Sequence, residues 1–323
     1  MLRIQFEQTG GPDVLQAVDV PIPDPGPGQV RVKQAAIGLN FIETYQRTGA
    51  NPMPLPGCPG SEGAGVVDAV GEGVNSHRVG DRVGYAAGAP VGAYAEYYVL
   101  PAWKAVKLPE SIDFNTAAAI MLKGMTAEML LMRVFHVKPG QTILVHAAAG
   151  GMGTILSQWA TSLGARVIGT VGSAEKVAAA KANGCAEVIL HGQEDIAARV
   201  RDLTNGKGVP VVYDGIGAAT LEASLDSLGP RGMLASFGNA SGPAENVSVQ
   251  RLKFGSLFLT RPGVFDYTSN PEELNASANT VFEAVAKGHF KVRVNQTFAL
   301  KDARAAHEAL EGRRTTGSSL LIP

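Results

Sequence analysis

Residues 146–153 read HAAAGGMG, eight positions at which almost nothing extends from the backbone. Against the pattern G-x-G-x-x-G the stretch aligns as Ala148-Ala149-Gly150-Gly151-Met152-Gly153, with alanine in place of the first glycine. In that register Gly150 lets a pyrophosphate approach the backbone, and Gly153 lets the following helix pack closely on the preceding strand. Ala149, Gly151 and Met152 complete the phosphate-facing turn. The helix N-terminus then offers unpaired N–H groups and a partial positive charge. A tight turn with no ligand writes similar letters, so the neighbouring elements must decide. About 20 residues further on, an NAD site usually carries an acid that holds the ribose 2′-hydroxyl. The region reads RVIGTVGSAEK, with Gly169-Thr170 after Ile168 and then Ser173 and Lys176, which suit a 2′-phosphate. Glu175 sits where a first helical turn attracts acids anyway. The residues therefore favour NADPH over NADH, with a plain solvated lysine at 176 as the alternative.

The elements around this turn alternate. Candidate strands are Thr142–His146, Arg166–Thr170, Glu187–Leu190, Val209–Tyr213, Gly232–Phe237 and Ser256–Thr260. Between the first two, Ile155, Leu156, Trp159, Ala160 and Leu163 fall on one helical face. A second helix is expected from Ser173 as N-cap to a stop at Asn183-Gly184. Six strands alternating with helices predict a doubly wound parallel sheet. Before it, residues 1–100 read as short strands punctuated by Pro and Gly, followed from about Thr116 by an Ala/Met/Leu-rich helical stretch. After about Pro262 come a helix over 271–287 and a closing strand, SSLLIP.

The chain has 323 residues, more than one core usually serves. A net charge of −1 gives no electrostatic footprint for nucleic acid or an anionic membrane, so neither partner is expected. The start lacks an apolar core of signal-peptide length and no run of about 18 apolar residues occurs, which points to a cytoplasmic protein. Cys58 and Cys185 are too few for a disulfide framework or a four-thiolate site. The sequons at Asn239, Asn246, Asn275 and Asn295 read as chance matches.

Beyond these letters, the chain resembles the zinc-free NADPH:quinone oxidoreductases of the medium-chain dehydrogenase/reductase superfamily, including their crystallin-related members. The stretches that carry the resemblance are GLNFIETYQRTG, GSEGAGVVDAVGEGV, GDRVGY, LVHAAAGGMG, IGTVGSAEK, VVYDGIG, LASFGNASG and RRTTGSSLLIP, spread over nearly the whole length. The resemblance implies an α/β protein. A GroES-like β domain would span 1–124 and 265–323, and a Rossmann-type dinucleotide-binding domain with a six-stranded parallel sheet would span 125–264, with the cofactor in the cleft. Zinc-dependent relatives use a Gly-His-Glu signature; here Ser61 stands at the histidine position and Asn40 where the other usual ligand, a cysteine, belongs. The six histidines are scattered without ligand spacing, so no metal is expected.

By the same resemblance Asn40, Tyr45 and Thr126 are carried over as catalytic-side residues, Asn40 also as a cofactor contact. Turn, packing and helix-start roles are their plain alternatives. Gly172, Ser173 and Lys176 look like the 2′-phosphate pocket. Phe237, Gly238 and Asn239 look like a loop over the nicotinamide, with a core role for Phe237 as the alternative. Gly215 ends the fourth strand near the adenine side, or simply turns the chain. Arg313, in register with Arg314 to within one residue, would pair with a phosphate. The sequence departs from the family at Glu128 or Met129 and at His191, each standing where a tyrosine is common. His191 would add charge at the 2′-phosphate below pH about 6.5, or be a surface residue.

The implied activity is hydride transfer from nicotinamide C4 to a quinone. Reduction of activated C=C bonds in enones or alkenals is one alternative, and a non-enzymatic NADPH-binding or RNA-binding role is the other. The segment FGSLFLTRP, residues 254–262, would form an exposed sheet edge that joins a second copy into a homodimer.

Overall fold

The computed structural model describes every residue from Met1 to Pro323. The chain divides into two compact units. The first comprises Met1–Met125, Thr268–Glu283 and Val292–Pro323; the second comprises Thr126–Tyr267 and Ala284–Lys291.

The first unit is built on a seven-stranded sheet. Its long strand Gln29–Leu39 pairs antiparallel with Glu62–Val70, with Tyr97–Pro101 and with the closing strand Ser318–Ile322. Along the early part of Gln29–Leu39 buried and accessible residues alternate, as a one-faced strand requires. Ile4, Phe6, Val30, Val32, Val67, Tyr85 and Leu100 fill its core.

The second unit holds six parallel strands in the spatial order Cys185–Leu190, Arg166–Val171, Thr142–Val145, Val209–Asp214, Leu228–Ser236, Phe258–Thr260. The order reverses between Thr142–Val145 and Val209–Asp214, which makes their carboxyl ends the topological switch point. Ile143, Leu144, Val211 and Val212 are fully buried, the pattern of a sheet covered on both faces. The helix Gly151–Ser162 buries Ile155, Leu156, Trp159 and Ala160 as expected, while Leu163 is its C-cap and only half-buried.

Several expected boundaries move. The strand placed over Ser256–Thr260 is only Phe258–Thr260, because Ser256 has φ +51° and cannot continue a strand. The one placed over Gly232–Phe237 is Leu228–Ser236, which leaves Phe237 in the following loop. The first strand stops at Val145, before Ala147 at φ +50°. Ser173 stands at the N-cap position of a helical segment but makes no side-chain capping bond; the first turn, Ala174–Lys176, is 3-10 and the α-helix is only Val177–Ala182. Gly184, at φ +91°, ends it where expected.

The domain limits also need correction. The return to the first unit, placed at 265, comes at Thr268 and is interrupted by residues 284–291. These stay with the second unit because Phe290 stacks on Trp159, ring centroids 5.2 Å apart, and Lys291 N donates to Gln158 Oε1 at 3.0 Å.

Candidate functional site

The turn between Thr142–Val145 and the helix Gly151–Ser162 is held by its own backbone. Gly150 N donates to Ala147 O at 2.9 Å, and Thr154 N to Gly150 O at 2.8 Å. The N–H groups of Gly151, Met152 and Gly153 precede that first intrahelical bond and point out of the helix start. A Cβ on Gly153 would lie 2.2 Å from Ala147 O and 2.6 Å from Ala148 Cα, so only glycine allows the helix to approach. At Gly150 a Cβ would meet only Ala147 O, at 3.2 Å. Space above Gly150 is therefore not filled by the protein. Ala149 is buried beneath the turn. Asn183 braces it from below, donating to Ala148 O at 3.3 Å and Thr154 Oγ1 at 3.0 Å.

The neighbouring strand ends at Val171, and the chain turns through Gly172 and Ser173. Nothing in the protein would touch a Cβ on Gly172. Ser173 Oγ is buried and has no hydrogen-bond partner. An orphaned hydroxyl of this kind is costly unless something outside the chain completes it. Lys176 N donates to Ser173 O at 3.1 Å, which folds Lys176 back beside the serine. The backbone of His191, just past the strand Cys185–Leu190, donates to Val171 O at 2.8 Å, so His191 borders the same turn.

On the far side of the switch point, a Cβ on Gly215 would meet the Phe237 ring at 2.9 Å, and one on Gly238 would meet Gly215 O at 2.5 Å. Gly215 and Gly238 are thus pressed together at the ends of adjacent strands, with Phe237 half-buried over them. With its amide turned to suit both neighbours, Asn239 donates to Gly238 O at 2.8 Å and accepts from Arg261 Nη2 at 3.2 Å. Asp214, before Gly215, accepts from Ile216 N, Gly217 N, Thr220 Oγ1 and Ser224 Oγ at 2.7–3.1 Å. It organises the turn.

Under the glycine turn lies a set of residues that sequence reasoning missed. His146 is buried, its Nδ1 3.0 Å from Thr170 Oγ1 and its Nε2 2.9 Å from Ser224 Oγ. Burial holds the imidazole below its ordinary pKa; nearby His191 adds to this and Asp214 opposes it. Nothing local in the sequence announces the cluster, since His146 and Ser224 are 78 positions apart.

Thr126, carried over as a nicotinamide-side residue with a helix-start role as its alternative, lies inside the helix Phe114–Glu128 and not at a helix start. Asp113 caps that helix, accepting from Thr116 N at 2.7 Å. The helix continues as a π-turn, Met129–Val134, in which Arg133 grips Glu128 at 2.7–3.2 Å and Tyr213 Oη donates to Leu130 O at 3.1 Å.

Asn40, Tyr45 and Arg313 belong to the first unit. Asn40 is the N-cap of the helix Phe41–Thr48, and Glu43 Oε2 accepts from its N–H at 2.6 Å. Its Nδ2 donates to Glu62 Oε2 at 3.0 Å, a second anchor for the cap. Glu62 also accepts from Leu122 N at 2.7 Å and from Lys123 Nζ at 3.2 Å. Ser61 donates its N–H to Glu43 Oε1, and its Oγ accepts from Gln46 Nε2 at 3.0 Å. This donor set, hydroxyl, amide and a carboxylate already paired with an ammonium, contains neither thiolate nor imidazole and does not suit zinc. Tyr45 is half-buried on the helix Phe41–Thr48, and Arg313 is exposed, at φ +57°, in the loop after the helix Ala303–Glu311.

A GroES-like sheet unit and a nucleotide-type parallel sheet unit define a dehydrogenase of the medium-chain class. Residues 26–110 match the family described as alcohol dehydrogenase GroES-like domain, and residues 151–287 the family described as zinc-binding dehydrogenase. A quinone oxidoreductase of Pseudomonas aeruginosa is 51% identical, over 99% of each chain. A 2-haloacrylate reductase of Burkholderia is 47% identical, over 98% of each chain. The solved structure of an Escherichia coli quinone oxidoreductase complexed with NADPH superposes with a TM-score of 0.97 at 47% identity, over 100% of each chain. The chain belongs to the quinone oxidoreductase family of the medium-chain dehydrogenase/reductases.

Proposed function

We propose that this chain is an NADPH-dependent quinone reductase that works without zinc. One observation carries the reading. A helix start with three outward N–H groups lies at the switch point, beside an orphaned Ser173 hydroxyl next to Lys176. When bound, the nicotinamide supplies a hydride from its C4. Gly151, Met152 and Gly153 bind the pyrophosphate through backbone N–H groups, over the space left by Gly150. Ser173 and Lys176 take the 2′-phosphate, with Gly172 leaving it room and His191 at its border. Gly215, Phe237, Gly238 and Asn239 line the dinucleotide on the other side of the switch point, and Thr126 the nicotinamide end. Asn40 and Tyr45 orient the acceptor, and Arg313 pairs with a phosphate.

A quinone is electron-poor, so the protein needs to supply mainly proximity, with reacting atoms about 3–3.5 Å apart, and exclusion of water. The proton comes from water or a nearby hydroxyl. Ser61 and Asn40 replace the expected zinc ligands, which fits an acceptor that needs no Lewis acid. A second reading, reduction of activated C=C bonds, is favoured by the 47% identity to a 2-haloacrylate reductase. We further place the protein in the cytoplasm, as a homodimer joined through Phe258–Thr260. No helix is long and apolar enough to cross a membrane.

An initial-rate panel of 1,4-benzoquinone, naphthoquinones, enones and 2-haloacrylates, run with NADPH and with NADH, tests the reading. The expected result is fastest turnover on quinones with NADPH. Faster turnover on the C=C acceptors selects the second reading, and no oxidation of NADPH by any acceptor removes both.

A further inference from the structure

The inference rests on the nucleotide-binding reading above. We propose that His146, as its Nε2–H tautomer, is a positioning residue that transmits the orientation of Asp214 to the peptide opening the glycine turn. The hydrogen bonds leave one consistent direction. Asp214 accepts four, two at each oxygen, so its carboxylate has no hydrogen to give. Ser224 must spend its single hydroxyl hydrogen on Asp214 Oδ2, at 2.7 Å. Its oxygen can then only accept from His146, at 2.9 Å, which places the proton on Nε2. In the neutral ring Nδ1 is an acceptor, and Thr170 Oγ1, at 3.0 Å, supplies the hydrogen. Thr170 Oγ1 in turn accepts from Ala147 N at 3.4 Å.

The last link is the one that matters for a ligand. Ala147 is a left-handed, non-glycine residue, a conformation that needs support. Its carbonyl accepts from Gly150 N at 2.9 Å and stands where a Gly153 side chain would otherwise be. Thr170 holds the N–H of the His146–Ala147 peptide; rotating that peptide changes the φ of Ala147 and so redirects the Ala147 carbonyl on the next peptide, away from Gly150 N and out of register with the Gly151–Gly153 N–H groups. The relay Asp214–Ser224–His146–Thr170 pins it from below, out of reach of solvent. Because the turn serves the pyrophosphate, common to both nucleotides, the relay affects NADPH and NADH alike.

Two measurements on the full-length protein test this. In protein labelled with 15N-histidine and free of nucleotide, the resonance lost in His146→Phe, or displaced in Thr170→Val, should show a protonated Nε2 and an unprotonated Nδ1 at pH 7. A protonated Nδ1 there overturns the proposal. Thr170→Val, close to isosteric but without the hydroxyl, should weaken NADPH and NADH binding by the same factor, about three- to tenfold. The effect should fall on KM rather than kcat, and Thr170→Ser should restore affinity. Unchanged binding in Thr170→Val, or weakening confined to NADPH, overturns the relay. Wild-type protein that binds neither nucleotide refutes the proposed function instead, an outcome distinct from a wrong tautomer in binding-competent protein.

Discussion

Lys123 Nζ stands 3.2 Å from Glu62 Oε2, and the two side chains are only 7% and 0% exposed. A pair this deep is held by completeness: Glu62 also receives Asn40 Nδ2 and Leu122 N. Removing one partner strands a charge, whereas removing both can be nearly neutral. Lys123→Met should therefore destabilise the first unit by about 3–5 kcal/mol. Adding Glu62→Gln should recover part of that loss. Denaturant unfolding followed in the first unit reads both effects. A Lys123→Met protein as stable as wild type would contradict the pairing.

Glu43, five residues before Thr48 on the same helix, is fully buried. Burial pushes its carboxyl from 4.5 up to about 8, against the pull of Lys123 and the Asn40 N–H, with Glu62 adding to the rise. Its folded-state pKa is above its unfolded one, so its contribution is complete below about pH 4.5 and is lost as pH rises through about 8. His307, held down to about 3 by burial first and then by Arg47, acts the other way: its contribution is lost as pH falls below 6.5. The difference in stability between wild type and Glu43→Gln isolates the carboxyl. That difference should shift steadily in favour of Glu43→Gln from pH 5 to 8; a flat difference would place the Glu43 pKa near its ordinary value.

The proposed 2′-phosphate pocket at Ser173 and Lys176 would recognise the feature that separates NADPH from NADH. Lys176→Ala should raise KM for NADPH roughly ten- to a hundredfold, the equivalent of one charge-assisted hydrogen bond. KM for NADH should barely move. Ser173→Ala should act in the same direction but more weakly, since a neutral donor is lost and its burial without a partner is relieved. Equal effects on the two nucleotides would remove the 2′-phosphate assignment.

Gly150 and Gly153 are three residues apart and should fail differently. Gly153→Ala drives a methyl into the Ala147 carbonyl, so the second unit should lose thermal stability. At Gly150 a Cβ would meet only one protein atom, and its φ of −80° and ψ of 176° suit a branched residue such as valine. Gly150→Val should fold and yet bind neither nucleotide when titrated calorimetrically. Wild-type affinity in Gly150→Val would show that the pyrophosphate lies elsewhere.

The edge strand Phe258–Thr260 exposes Phe258 at 55% and Leu259 at 37%, with Phe254 at 75% nearby. An apolar sheet edge of this kind invites a second strand. Sedimentation should give two chains per particle for wild type and a shift toward one for Phe258→Glu. A monomeric wild type would exclude this interface.

The parallel sheet and its glycine turn were legible because their causes are local. Apolar runs covered on both faces mark buried strands. Gly153 is dictated by the closeness of its own turn, and Ser173 by its place at a strand end. The misplacements also have local causes that letters do not display: Ser256 and Ala147 adopt positive φ, and Thr126 continues a helix capped far upstream at Asp113.

What the sequence alone determined is the order of elements and the space above Gly150, because each follows from neighbouring residues and backbone stereochemistry. Only the tertiary structure decided that residues 284–291 join the second unit, that Glu62 is neutralised by Lys123, and that His146 links Thr170 to Ser224. Those relationships join positions tens to more than a hundred residues apart, and a hydrogen bond or ring contact across such a distance exists only once the chain has folded.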